Sequence, residues 1–150
     1  MNLYTTYTVR SKNSTNVWQF KYHLNGTLAA FEILEGMFDQ AQIEWFFIKG
    51  RFPYLEDHVK HWKLKLQKNF EIEVGEPDLS FDHAWLVYDY RVGKKEAKSA
   101  FDRLTKAKKI LFFMSLPAYK KFLGRKGTAQ LYMSSYINGE RYNDEFHKIK

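Results

Sequence analysis

A chain of 150 residues can form one ordinary domain or two small ones sharing a core, and 45% hydrophobic with 18% aromatic content supplies ample material for a packed interior. The absence of cysteine excludes a disulfide framework and thiolate metal sites, and it suits a reducing compartment. The formal net charge of +7 is lopsided, with 9 basic and 8 acidic residues through Gly75 and 15 and 9 beyond it. Such a one-sided field attracts phosphate backbones, acidic protein surfaces or anionic lipid, and it also keeps a protein in solution.

Residues 1–7 lack the basic stretch and apolar run of a secretory signal. Apolar runs such as 45–48 and 110–114 fall far short of the roughly 20 residues that cross a bilayer. The expectation is a cytoplasmic protein without a membrane segment. Residues 3–9 alternate as a strand. Segments 17–24 and 28–34 are β-rich and flank Asn25-Gly26, a pair that tolerates the positive φ angles of a tight turn, so they predict a hairpin. Asp39 is placed to cap a helix over 40–48 that Gly50 ends. Beyond Pro53 the spacing of Leu55, Val59, Trp62 and Leu66 predicts a second helix. Residues 70–74 alternate apolar and acidic, as a short edge strand or an extended linker.

Composition, charge and periodicity all change around Gly75-Glu76-Pro77, which marks a boundary between a strand-rich region (1–76) and a basic helical module (77–150). Phe81, Trp85 and Tyr88 form one helical stripe, with Asp78 or Ser80 as its N-cap. Ala97, Ala100, Phe101 and Leu104 form another. Further helices are expected over 106–115 and 117–123, with Pro117 in a first turn. Gly124-Arg125-Lys126-Gly127 reads as a flexible basic turn, and one short helix follows within 133–142. The fold class is α+β, an N-terminal hairpin or small antiparallel sheet with helices ahead of a C-terminal helical module.

Several of these residues carry a resemblance. Phe81-Asp82-His83-Ala84-Trp85-Leu86-Val87-Tyr88, then Arg91-Val92-Gly93-Lys94-Lys95-Glu96-Ala97, Ala100-Phe101, Leu104 and Pro117-Ala118-Tyr119 come in order. They end in Ser135-Tyr136-Ile137-Asn138-Gly139-Glu140-Arg141-Tyr142-Asn143-Asp144-Glu145. Across roughly 80–146 this pattern resembles the helical C-terminal module of phage replication-type, replisome organiser-like proteins. The chain departs from it with Asp89 where the family has proline, with Tyr142 where tryptophan is frequent, and with a strand-rich segment in place of a winged-helix domain. The resemblance implies a mobile-element origin and an association with DNA replication.

The same residues have a direct physical reading. Trp85, Tyr88, Phe101 and Leu104 are core by their helical spacing. Lys94, Lys95 and Lys98, then Lys106, Lys108 and Lys109, then Lys120, Lys121, Arg125 and Lys126 form three cationic clusters. These could contact phosphate without reading sequence, or stand apart as solvated side chains. Tyr132, Tyr136 and Tyr142 are packing residues first and stacking surfaces second. Little catalytic chemistry is present. Gly124–Gly127 lacks the spacing and following hydroxyl of a phosphate loop, and His58 and His61 beside Asp57 lack the i, i+4 spacing and third ligand of a helical zinc site.

The expectation is a non-enzymatic protein, with no metal and no cofactor, that binds nucleic acid, DNA before RNA. The alternative is a phage-encoded protein that binds a host protein or ribonucleoprotein, such as an RNA-guided nuclease, by adding its hairpin edge to a partner's sheet. Trp18, Tyr22 and Phe31 would then be the anchors.

Overall fold

The computed structural model describes residues 3–149 and has an α+β fold made of two compact units, residues 1–77 and 78–150. In the first unit β1 (Thr5–Ser11), β2 (Val17–Tyr22), β3 (Leu28–Glu35) and β4 (Phe70–Gly75) form one antiparallel sheet in the order β3-β2-β1-β4. The Asn25-Gly26 turn joins β2 to β3, and Phe20 lies opposite Phe31. The segment over 70–74 is an edge strand, because its alternation presents Ile72 and Val74 alongside Val9 and Tyr7. One face of the sheet is apolar: Tyr7, Val9, Trp18, Phe20 and Tyr22 pack with Phe46, Val59 and Trp62.

The helix foreseen over 40–48 begins with an α-turn, α1 (Gln40–Ile43), under a capping box between Asp39 and Gln42. It then widens into a π-turn (Glu44–Ile48) that turns Phe46 into the core and leaves Phe47 and Ile48 outside. Helix α2 (Glu56–Lys65) buries Val59 and Trp62. It is tied to the sheet by Tyr7, whose hydroxyl donates to Glu56 at 2.6 Å, and the Tyr22 hydroxyl donates to the nearby Pro53 carbonyl at 2.7 Å.

The second unit contains α3 (Phe81–Tyr88), α4 (Lys94–Asp102), α5 (Lys106–Lys126), α6 (Met133–Asn138) and two closing 3-10 turns. Ser80 is the N-cap of α3, accepting from the His83 amide at 3.2 Å. Asp89 closes that helix in the left-handed region, at φ 58. Proline, locked near −65°, cannot occupy such a position. The helices expected over 106–115 and 117–123 are one helix. Phe112, Phe113, Leu116 and Tyr119 are buried as a single stripe across Pro117, and that burial outweighs the one hydrogen bond proline removes. Likewise 124–126 is helical rather than a loose turn, and only Gly127 is left-handed.

A tyrosine network occupies the middle of this unit. Tyr88 donates to the Leu131 carbonyl at 2.5 Å, the Leu131 amide donates to the Tyr119 hydroxyl at 2.9 Å, and Tyr136 meets Ser115 Oγ at 2.6 Å. Burial pushes the Tyr136 phenol up to about 12. Burial, reinforced by Tyr119, raises Tyr88 as well.

Candidate nucleic-acid interface

Helix α4 is amphipathic because Ala97, Ala100 and Phe101 are sunk in the core, which leaves Lys94, Lys95 and Lys98 exposed. Gly93, at φ 72, begins the helix without a side-chain cap. Helix α5 starts at Thr105, whose hydroxyl accepts from the Lys108 amide at 3.3 Å, and its first turn carries Lys106, Lys108 and Lys109 with no acidic residue. Five lysines thus sit in the first turns of two helices, where unpaired amides already make the local field positive. A cation there is unfavourable by about 0.3–1 kcal/mol, and an anion is favoured to a similar degree.

The ten cations divide by position and by what they touch. The Lys98 ammonium lies 5.7 Å from the Phe81 ring centre and that of Lys109 lies 4.9 Å from Phe101. Those two rings are 6.0 Å apart, which gathers both charges at one edge of α3, α4 and α5. Lys98 is also paired with Asp102 at 2.6 Å, and Lys108 with Glu140 at 3.8 Å. Lys94, Lys95, Lys106 and Lys121 make no ion pair or hydrogen bond among the described residues and are exposed.

The later cluster has internal duties. Lys120 donates to the Val87 carbonyl in the last turn of α3, and Arg125 donates to the carbonyls of Phe146 at 3.1 Å and Ile149 at 2.6 Å. Lys126, in the last turn of α5, complements the helix dipole. With 1.5 Å of rise per residue, roughly 18 Å of helix separates Lys108 from Lys120. Lys98 and Lys109 are thus brought together, Lys94 and Lys95 stand at the opposite end of α4 from the start of α5, and the cations of α4 and the first turn of α5 have fewer internal duties than Lys120 and Arg125.

Other residues singled out in the sequence are placed as follows. Tyr136 and Tyr142 are buried, while Tyr132 is half exposed and could offer a ring face. Trp18 and Tyr22, expected as interface anchors, are instead core residues at 4% and 0% exposure, because the inward register of β2 points both at the helices. Phe31 is partly buried and stacked on Phe20 at 4.8 Å. His58 packs edge-on against Tyr54, and no group of three or more metal-ligating side chains occurs among the described residues. No helix of the described residues is long and apolar enough to cross a membrane. Arg91, between α3 and α4, is exposed as well.

Residues 76–140 match a known family, and that span takes in α3 through α6 together with the first-turn lysines. The family is the C-terminal domain of the Legionella vir region protein LvrA. Within this similarity Phe81, Ala84, Tyr88, Ala97, Ala100, Phe101, Tyr136 and Ile137 are all buried. They specify the scaffold, and the lysines on α4 and α5 are carried on its outside. Neither a curated protein nor a solved structure matches the chain.

Proposed function

We propose that the chain is a non-enzymatic nucleic-acid-binding accessory protein of a phage or mobile element, associated with replication. Phosphate is held by Lys94, Lys95, Lys98, Lys106 and Lys109. The observation that carries this reading is the presence of five lysines against one carboxylate, Glu96, in the first turns of α4 and α5, of which Lys94, Lys95 and Lys106 make no ion pair or hydrogen bond among the described residues, so that a polyanion is favoured there. The resemblance of 80–146 to replisome organiser-like modules favours DNA over RNA. Lys120, Lys121, Arg125 and Lys126 contribute a weaker second contact, since two of them hold the unit together.

Fluorescence anisotropy with labelled duplex and single-stranded oligonucleotides across a salt series tests it. Affinity falls with a log–log slope of about −3 to −5 if four or five phosphates are neutralised. The double change Lys94→Glu, Lys95→Glu reduces both affinity and slope. Affinity indifferent to salt rules the reading out.

A second reading is supported by a different observation. Strand β3 lies at the edge of the sheet, with an isolated bridge between Thr27, just ahead of it, and Leu55, and Leu34, Met37, Phe47 and Ile48 are exposed nearby in sequence or structure. An exposed edge of this kind suits strand addition by a host protein or ribonucleoprotein, as in an inhibitor of an RNA-guided nuclease. The anchors would then be Leu34, Met37 and Phe47 in place of Trp18 and Tyr22. Pull-down from host lysate separates the readings, because a partner retained after nuclease digestion and lost in Phe47→Asp favours the second.

A further inference from the structure

The two outer strands of the sheet differ in regularity. Strand β3 is out of step with β2 at two places, between Val17 and Trp18 and between Lys21 and Tyr22. Its start is held from outside, where the Leu28 amide donates to the Tyr54 carbonyl at 3.1 Å and the Glu56 amide to the Gly26 carbonyl at 2.8 Å. Both features shorten the stretch that a further strand could follow. Strand β4 instead pairs with β1 in one unbroken register from Phe70 to Gly75, and no strand lies on its other side among the described residues.

The ladder fixes which backbone groups of β4 face outward. The Lys12 amide donates to the Asn69 carbonyl at 2.8 Å, and the Ser11 amide, on the other side of β1, donates to the Asn16 carbonyl at 3.0 Å. Bonded and non-bonded pairs alternate along an antiparallel ladder, so Glu71 and Glu73 bond to β1 while Ile72 and Val74 turn their amides and carbonyls to the open edge. Those groups have no hydrogen-bond partner among the described residues. Between Val74 and α2 a cleft of about 570 Å³ opens, lined by Tyr7, Leu64, Lys60 and Lys63, and Leu64 is 68% exposed there.

The side chains restrict the occupant. An added strand continues the pleat, so every second residue lies on the apolar face beside Ile72 and Val74, within reach of Leu64, and the residues between lie beside Glu71 and Glu73. Both glutamates are exposed and make no ion pair or hydrogen bond among the described residues, so cations are favoured on that face. Lys60 and Lys63 at the cleft repel cations from the other face, which sets the way round the strand lies. A second copy of β4 is disfavoured, because every register that keeps the apolar residues on one face sets glutamate beside glutamate.

We infer that the β4 edge binds an extended peptide segment in which apolar and basic residues alternate. The site uses no residue of α4 or α5 and lies across the sheet from β3.

The probe is a synthetic peptide of alternating lysine and valine, titrated into the full chain while amide exchange is followed residue by residue by NMR. At about ten times its dissociation constant it should slow exchange at Ile72 and Val74 roughly tenfold. Glu71→Lys combined with Glu73→Lys, at exposed positions that leave the apolar face intact, should weaken binding about tenfold. N-methylation of the peptide amides that face β4 should abolish it with no change of charge. Phe47→Asp, and the pair Lys94→Glu, Lys95→Glu, should leave binding unchanged, which separates this site from the β3 surface and from the lysine helices. Four results overturn the inference: equal affinity for an isomer with its lysines and valines in separate runs, equal affinity for a glutamate–valine peptide, slowed exchange in β3 in place of Ile72 and Val74, or protection of those two amides that grows with protein concentration alone and so marks a second copy.

Discussion

The two units have similar aromatic interiors and opposite exteriors. Residues 1–77 carry 9 basic and 9 acidic residues, whereas 78–150 carry 15 and 8, so the whole net charge belongs to the helical unit. The neutral unit instead exposes Met37, Phe47, Ile48 and Leu64 and keeps an open strand edge. The lesson is that two cores filled in the same way, with packed aromatic rings, can carry quite different outer surfaces.

The comparison is most severely strained by attacking one core alone. Phe112 is fully buried with its ring 6.1 Å from Tyr88, 5.9 Å from Phe101 and 5.9 Å from Tyr136. Phe112→Ala should cost the helical unit about 3–5 kcal/mol. Amide hydrogen exchange read by mass spectrometry should show α5 losing protection while β1 and β2 keep theirs. Equal loss in the sheet would erase the distinction between the units.

Alkaline pH should act next most strongly. The folded-state phenol of Tyr136 is raised from an ordinary 10.0 to about 12. Its contribution is therefore complete below pH 10, where both states are protonated, and is lost as pH rises from 10 through 12 because only the unfolded state readily releases the proton. That loss is on the order of 3 kcal/mol. Denaturation midpoints taken across this window should fall, and Tyr136→Phe should fall less steeply.

In the sheet unit the sharpest single position is Gly36, at φ +85, where an added Cβ would stand 1.8 Å from Asn16 Oδ1. Gly36→Ala should destabilise the unit by at least about 2 kcal/mol, measured by urea denaturation. Combining it with Asn16→Ala removes that clash and leaves roughly 1 kcal/mol of backbone strain. No recovery in the double variant would place the strain wholly in the backbone.

Much of this architecture was legible in the sequence because the signals were local. The Asn25-Gly26 turn, the alternation of 70–74 and the alanine-phenylalanine stripe of α4 each follow from period and turn chemistry. The errors came where long-range packing overrode a local rule. Pro117 punctuates a helix in isolation, yet the stripe from Phe112 to Tyr119 carries the helix through it. Trp18 and Tyr22 look like exposed hairpin aromatics until the register turns both inward. Of the candidate sites, the lysines of α4 and α5 could be named from spacing, but the duties of Lys120 and Arg125 depend on carbonyls 33, 21 and 24 residues away.

The smallest expected effect concerns helix starts, which both units secure by side-chain caps of different scope. Asp39 and Gln42 satisfy each other's backbone amides around a four-residue α1, whose continuation depends on Phe46 being buried. Ser80 caps an eight-residue α3 whose first turn holds the buried Phe81 and His83. Losing the Ser80 hydroxyl leaves the His83 amide without its acceptor at the margin of a packed core, so Ser80→Ala should cost about 1 kcal/mol in thermal denaturation. Asp39→Ala should cost less, because its amides are exposed and water can replace the carboxylate. A larger loss at Asp39 than at Ser80 would mean that the π-turn depends on that capping box more than on the burial of Phe46.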